Sequence, residues 1–335
     1  ERVDLGRVQR HHFIGGEGVD LGGVQTLDAG GRDGRHIVGG QGLELVGGDR
    51  TDLARAQHLE LVAGQGVQVV GGQAGLAAEA LAIWAGVSGD TQAAAMAHNA
   101  VNWAMANRRI GTSGGFRHDA RDVAGPYLAD NVAMSRAQLA LYKLEGRREW
   151  LQASIATTDF INAQFRQPEG GFRSAKAQGL IAPPLAVVEE NIALVRHANL
   201  LSHYAGLPRF RAMAEHGMRY LATPGVSEGV ITESGILLAA DELATDPLHL
   251  TIVSAKRDAA GEALWRTALR QPGGYQRVEY WDQSQGPLLD AKVSYPALTK
   301  SAAFVCTASR CSLPAFTSVR LQQMIHELTS NTQTR

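Results

Sequence analysis

Apolar residues recur at helical spacing through the middle of the chain. Helix-like stretches span residues 90–108 and 148–166. Between them a further helix is predicted, with one apolar stripe formed by Leu128, Val132, Ser135, Leu139 and Tyr142. Alanines occupy much of the rest of its surface, and a helix that is apolar around most of its circumference is typical of a buried position.

A tetrapeptide marks each repeat of this pattern. GGFR occurs at residues 114–117 and again at 170–173, each time after one predicted helix and before the next. Paired glycines suit a tight turn, and the phenylalanine is suited to pin that turn to the core. The pattern therefore predicts that the same loop is used twice.

The helices that follow the two GGFR loops align at an offset of 60 residues. The aligned pairs include Asp130/Glu190, Asn131/Asn191, Arg136/Arg196, Gly146/Gly206 and Trp150/Phe210. Gly146 and Gly206 are each predicted to be the C-cap of the helix that precedes them. Each unit is then a hairpin, in which an inner helix turns at its glycine into an outer helix that returns antiparallel.

The fold class that follows is mainly α, a partial (α/α) toroid of about three hairpins over residues 86–245, with a last inner helix near 229–243. Residues 246–335 form a small α/β lobe. Its predicted elements are strands at 248–253, 278–281 and 302–306 and helices at 259–270 and 319–328. No glycine-rich phosphate loop follows the first strand, and we predict no cofactor and no metal.

Residues 1–85 differ in texture from the rest of the chain. The first 80 residues hold 19 of the 38 glycines and contain no Lys, Pro, Ser, Asn, Tyr, Trp, Cys or Met. Ordering so much glycine is costly in entropy, and few large side chains compensate. We expect this segment to be irregular or disordered and not a native fold; stacked β-solenoid turns and a flexible tail are the alternatives.

Charge and cysteine content narrow the class of partner. The formal net charge is −1 and the pI is near 6.9, which favours neither nucleic acid nor a membrane surface. Without a signal-peptide pattern, a cytoplasmic location is slightly favoured. Cys306 and Cys311 are compatible with two ordinary thiols, a disulfide or half of a metal site.

Residues 90–329 resemble the C-terminal half of the spermatogenesis-associated protein 20 family and its bacterial, thioredoxin-domain-containing relatives. The matching stretches are, in order, GGFRHD, GPYLADNVAMSRAQLALYKLEG, PEGGFRSA, VVEENIALVRHANLLSHYAG, MRYLATP, DPLHLTIV and AFVCTASRCSLP. Members join a thioredoxin-like domain to an (α/α)6 toroid of the six-hairpin glycosidase and epimerase type, followed by a small α/β tail. In that family a thioredoxin-like domain and the first part of the toroid would precede the residue equivalent to 90. The segment before residue 90 resembles neither of them, and no CxxC motif for dithiol chemistry is present.

The resemblance implies a truncated member of that family with a carbohydrate-related role. A sugar-like small molecule is then the expected ligand, bound in the funnel at the ends of the inner helices. There are two alternatives. The partial toroid could be a non-catalytic docking module with a thioredoxin-fold partner, or the chain could be an inactive gene-calling fragment. The resemblance does not select a reaction.

Candidate catalytic groups at the funnel are Asp130 and Glu190 at the helix starts and His118 and Asp119 in the loop after the first GGFR. Predicted substrate-binding residues are Asn131, Asn191, Glu189 and Asp122. Carboxylates at helix N-termini also complement the helix dipole, and the two asparagines equally suit hydrogen bonds between hairpins. Arg136 and Arg196 are expected to pair with carboxylates inside the ring.

Overall fold

A computed structural model of the protein describes residues 71–122, 125–176, 184–229, 233–290, 295–296, 298–307 and 310–330. The helices are α1 (Gly71–Ser88), α2 (Thr91–Asn107), α3 (Leu128–Glu145), α4 (Arg148–Phe165), α5 (Val188–Ala205), α6 (Pro208–Leu221), α7 (Pro224–Ser227), α8 (Gly235–Ala244), α9 (Ala259–Leu269) and α10 (Ser318–Ser330). The strands are β1 (Leu248–Ser254), β2 (Gln276–Asp282) and β3 (Ala302–Cys306). None of these helices is both long enough and apolar enough to cross a membrane.

The helical part is an arc of hairpins, α1–α2, α3–α4 and α5–α6, followed by the single inner helix α8. The protein is therefore mainly α, with the hairpin arrangement of an (α/α) toroid, as the sequence predicted. Gly146 and Gly206 end α3 and α5 in the left-handed conformation, with φ of 70° and 64°. Both predicted C-caps are confirmed.

Helix α1 was not predicted. The expected boundary at residue 85 falls inside this helix, and the glycine-rich character of its sequence concealed it. Gly75 packs so closely on α3 that a Cβ there would lie 2.7 Å from the carbonyl carbon of Ala133. The repeat thus begins by residue 71, and α1 completes the hairpin of α2; residues 1–70 lie outside the described part of the chain.

The inner helices run parallel. Gly72 and Gly75 of α1 approach Asp130 and Ala133 of α3 in the same order along both helices. In the same way, Gly235 near the start of α8 approaches Ile192 of α5, and Glu242 further along meets Arg196. The N-termini of α1, α3, α5 and α8 consequently lie at one end of the arc, which we call the mouth.

A buried polar node joins α3 to α5 at mid-height. His197 Nε2 of α5 lies 2.8 Å from Ser135 Oγ of α3, which also bonds to Thr158 Oγ1 of α4 at 2.8 Å. Burial, together with the charges of Arg136 and Lys143, lowers the pKa of His197 to about 3. The imidazole is neutral and structural.

The lobe is a three-stranded sheet in the order β2–β1–β3, with β1 parallel to β2 and antiparallel to β3. Helix α9 connects the two parallel strands, so the predicted βαβ unit is confirmed. Along β1, Leu250 and Ile252 face the core of the lobe, whereas His249 and Thr251 alternate onto the other face. Cys306 and Cys311 form a disulfide, so of the three arrangements compatible with the sequence the structure has this one, and not two free thiols or half of a metal site.

The polar face of the sheet meets the C-terminal ends of α3 and α5. Glu279 Oε1 of β2 accepts a hydrogen bond from Tyr142 of α3 at 3.0 Å, and Arg277 donates to Glu279 at 2.6 Å and to Asp290 at 2.7 Å. The hydroxyl of Tyr204 of α5 accepts from the backbone N–H of Val278 at 2.8 Å. The lobe thus closes the end of the arc opposite the mouth.

Candidate functional site

Each GGFR loop is anchored by the asparagine near the start of the following inner helix. Asn131 Oδ1 accepts from the backbone N–H of Phe116 at 2.8 Å, and its amide nitrogen donates to the carbonyls of Phe116 and Tyr127 at 3.2 and 2.7 Å. Asn191 repeats this arrangement with Phe172 and Val187. The repeat of the sequence is therefore a repeat of one hydrogen-bonded clamp.

The clamp changes the role of these two asparagines. Asn131 and Asn191 are fully buried, and both functions of each amide are used by backbone groups. An amide in this state has no free donor to offer a sugar hydroxyl. Of the two roles open from the sequence, the hydrogen bonds favour the structural one.

Asp130 and His118 form a hydrogen-bonded pair at the mouth. The distance from His118 Nδ1 to Asp130 Oδ2 is 2.9 Å; the imidazole is 40% exposed, whereas the Asp130 side chain is 6% exposed. Burial raises the pKa of Asp130, and the neighbouring His118 and the backbone N–H of Gly72 partly oppose this rise. The pair presents one face of an imidazole to solvent and keeps its carboxylate behind.

Asp119 and Asp122 shape the loop that carries His118. Asp119 Oδ1 accepts from the backbone N–H groups of Arg121 and Asp122 at 2.6 and 2.7 Å, which lower the pKa of Asp119. Asp122 Oδ1 accepts from the backbone N–H of His118 at 3.3 Å, while burial raises the pKa of Asp122. Both carboxylates lie beside the predicted site, and their observed contacts position His118.

Glu190 is the least satisfied group at the mouth. Its Oε2 atom is buried and has no hydrogen-bond partner in the described part of the chain. Burial, followed by the negative charges of Asp130 and Glu189, raises the pKa of Glu190 to about 7. Its neighbour Glu189 points outward and is exposed.

Three of the predicted residues are thus brought together: His118, Asp130 and Glu190. The carboxylates come from equivalent positions of adjacent inner helices and lie close enough to interact electrostatically. Because Asp130 binds the imidazole Nδ1, the Nε2 atom is the one left to take a proton, and Glu190 is protonated in part near neutral pH. The mouth therefore carries both a candidate proton acceptor and a candidate proton donor.

Sequence reasoning missed Tyr127, whose ring meets the His118 ring edge-to-face at 5.4 Å between centroids. Its partner at the offset of 60 is Val187, so the repeat gave no signal for an aromatic residue there.

Within the described ranges, no three His, Cys, Asp or Glu side chains converge as a metal site.

No protein-family model matches the chain, and no curated protein sequence matches it. The resemblance to the spermatogenesis-associated protein 20 family therefore stays a prediction. Among solved structures, the GH76A alpha-1,6-mannanase of Salegentibacter sp. HEL1_6 is 14% identical with a TM-score of 0.45, over 66% of this chain and 62% of that one.

Two further structures show a similar likeness. A glycosyl hydrolase family 88 protein from Bacteroides vulgatus is 14% identical with a TM-score of 0.42, over 53% of this chain and 56% of that one. The cellobiose 2-epimerase of Spirochaeta thermophila DSM 6192 is 19% identical with a TM-score of 0.36, over 44% and 43%. The chain spans less than two thirds of each, and likeness at this level says nothing about substrate or reaction.

Proposed function

We propose that the mouth of the arc is an acid–base site for a carbohydrate, in which Glu190 donates a proton and His118, held by Asp130, accepts one. The observation that carries the proposal is a half-buried carboxyl group, with one buried and unpartnered oxygen and a pKa of about 7, beside a hydrogen-bonded carboxylate–imidazole pair in the described part of the chain. Groups perturbed in this way in an open cleft are candidates for proton transfer.

The two roles follow from the two environments. A general acid works best when its pKa lies near the working pH, which Glu190 satisfies because of its burial and the adjacent negative charges. His118 gains orientation from Asp130, since a bonded Nδ1 fixes the tautomer and directs Nε2 outward. Glu190 therefore suits the role of the acid, and the oriented His118 imidazole suits the role of the acceptor.

The substrate class comes from chemistry and from the resemblance together. Cleavage of a glycosidic bond requires protonation of the leaving oxygen and activation of water, and sugar epimerisation requires removal and return of a proton. Residues 90–329 resemble a family whose toroid is of the glycosidase and epimerase type. Glu189, exposed at the rim, is suited to accept hydrogen bonds from sugar hydroxyl groups.

The test uses the full chain with the neutral disaccharides cellobiose, maltose and mannobiose, followed by proton NMR of the anomeric signals. This readout detects both cleavage and epimerisation. We expect conversion of one of them, abolished by Glu190→Gln and by Asp130→Asn. Glu215→Gln on the outer helix α6, where the carboxylate is exposed and pairs with Arg211, is the matched control and retains conversion. The proposal fails if none is converted or if Glu190→Gln converts as well as the parent.

A further inference from the structure

Up to its last turn, α3 reaches solvent along only one stripe. Between Leu128 and Tyr142 every residue is buried except Ala129 and Arg136, and the next partly exposed residue is Lys143. These three residues are seven positions apart, which places them on one line, about 10 Å between successive residues. Because the other faces of α3 are covered by its neighbours, this line faces the concave side of the arc.

Helix α5 contributes the equivalent stripe. Glu189, Arg196 and His203 lie 60 residues after Ala129, Arg136 and Lys143, and all three are exposed or half-buried. An arginine therefore occupies the same height on both inner helices. The concave face between α3 and α5 is thus basic at mid-height, below an acidic mouth.

The two arginines are held by carboxylates from the flanking inner helices. Arg136 binds Glu79 of α1 at 2.9 Å, and Arg196 binds Glu242 of α8 through two hydrogen bonds of 2.7 and 3.0 Å. The arginine side chains remain 37% and 38% exposed. The ion pairs fix both guanidinium groups and leave part of each facing the concave side.

Lys143 is the unmatched cation of this face. Its ammonium has no hydrogen-bond partner among the described residues and lies 5.9 Å from the centroid of the Tyr204 ring, and the residue as a whole is half-buried. Burial and the nearby Arg136 lower its pKa, and Glu79 is the carboxylate that opposes them. Glu79 also acts on Arg196, so it is the carboxylate common to Arg136, Lys143 and Arg196, and Glu242 pairs with Arg196 alone among these three.

We propose that the concave face around Lys143, Arg136 and Arg196 is a subsite for an oxyanion, a carboxylate or a phosphate group, carried by the saccharide. Among the described residues, three cations face two carboxylates on this side, which leaves one positive charge uncompensated in a partly buried setting. An anionic group placed there restores the balance that the protein alone lacks. The inference rests on the proposed function and names its substrate class.

The position of the subsite sets the orientation of the ligand. Arg196 lies six residues beyond Glu190 on α5, about 9 Å along the helix axis. A saccharide whose reacting bond is at Glu190 would therefore place an acidic group of the same or the adjoining sugar among the cations. The acidic mouth would repel the opposite orientation.

The experiment measures binding to the full chain by isothermal titration calorimetry with D-glucose, D-glucuronate, D-glucose 6-phosphate and inorganic phosphate. We expect an anionic sugar to bind about 10-fold more tightly than glucose, which is about 1.4 kcal/mol. Lys143→Gln should remove this preference by lowering the affinity for the anionic sugar to about that for glucose. Lys143→Arg should retain the preference. The control is Lys300→Gln, at an exposed lysine in the lobe, which should also retain it.

Each outcome has a defined meaning. The tighter of glucuronate and glucose 6-phosphate identifies the source of the oxyanion. Equal binding of glucose and both anionic sugars overturns the subsite, and so does a preference that survives Lys143→Gln. Inorganic phosphate that binds as well as the sugars and is unaffected by Lys143→Gln would show an adventitious ion only. Suppose that neutral disaccharides are converted in a Glu190-dependent manner while calorimetry shows no preference for anionic sugars. The proposed function then stands, and the subsite alone is refuted.

Discussion

Asp130 and Glu190 occupy the same position on neighbouring inner helices, yet their carboxyl groups are in different hydrogen-bonding states. Asp130 accepts from the His118 imidazole at 2.9 Å, whereas the buried Oε2 of Glu190 has no partner in the described part of the chain. The bond from His118 favours the carboxylate form of Asp130 and opposes the rise in pKa that burial causes, whereas the pKa of Glu190, raised by burial and by neighbouring negative charges, favours the protonated acid. A repeat of sequence has thus produced two different acids side by side.

This difference predicts how stability depends on pH. Because the folded pKa of Glu190, about 7, lies above its ordinary value of 4.5, its contribution is fully present below pH 4.5 and is lost as pH rises through 7. Glu190→Gln, which cannot ionise, should therefore be more stable than the parent at pH 8, by on the order of 2 kcal/mol, and equal to it at pH 4. Thermal unfolding at the two pH values measures the difference.

The control for this pH dependence is Glu215→Gln, since that side chain is exposed on α6 and pairs with Arg211 at 3.0 Å. An exposed pair contributes only about 0.3–0.5 kcal/mol. Its effect should be small at both pH values. A Glu190→Gln variant that is no more stable than the parent at pH 8 would refute the assigned environment.

Close packing of α1 on α3 gives a second prediction. A Cβ at Gly75 would lie 2.7 Å from the Ala133 backbone, whereas one at Gly86 would lie 3.7 Å from Leu269, an ordinary contact. Gly75→Ala should therefore destabilise the protein by about 1–3 kcal/mol. Gly86→Ala should stabilise it by about 0.5–1 kcal/mol, because alanine favours the helix. Denaturant unfolding compares the two, and equal effects would mean that α1 does not pack as described.

The sequence could predict the hairpins because their signals are local and repeated. Gly146 and Gly206 marked the turns, and the offset of 60 placed Asp130 and Glu190 at equivalent helix starts. Helix α1 escaped because Gly72 and Gly75, which resemble loop residues in the sequence, are required there by the approach of α3. A close contact between helices 58 residues apart has no local signature.

The chemistry of the site was predictable only in part. Asp130, Glu190 and His118 were selected by their place in the repeat, but the orphaned oxygen of Glu190 depends on burial that only the packed structure defines. Asn131 suited two roles until its three hydrogen bonds were seen. The hydrogen bond from Tyr142 to Glu279, which joins the arc to the lobe, was missed altogether, because the two residues lie 137 positions apart in the chain.

The loop clamp can be tested at Asn191. Its amide satisfies the N–H and C=O groups of Phe172 and the carbonyl of Val187, so Asn191→Ala leaves buried backbone groups unpaired. We expect a loss of about 2–4 kcal/mol in the free energy of unfolding. Asn107→Ala, at an exposed asparagine bonded only to the Trp103 carbonyl, should cost less than about 1 kcal/mol. Comparable losses in the two variants would contradict the clamp.

The joint between the lobe and the arc predicts a contrast between two arginines. Arg277 is buried with Glu279 and Asp290, so Arg277→Met removes the cation that pairs with two buried carboxylates and should cost about 3–5 kcal/mol. Arg209 makes two hydrogen bonds of 2.8 Å to Asp159 at the surface, and Arg209→Met should cost less than about 1 kcal/mol. Unfolding by guanidinium chloride measures the free-energy change in both variants. A small effect at Arg277 would argue against the buried ion pairs with Glu279 and Asp290.

The most direct test of the acid–base site is a carboxyl carbon NMR titration of Glu190 in the full chain, with its signal assigned by its absence in Glu190→Gln. The midpoint should lie at about 7, and it should fall in Asp130→Asn because the neighbouring negative charge is removed. A midpoint near the ordinary value of 4.5 in the parent protein would contradict the proposal that Glu190 is held as a proton donor.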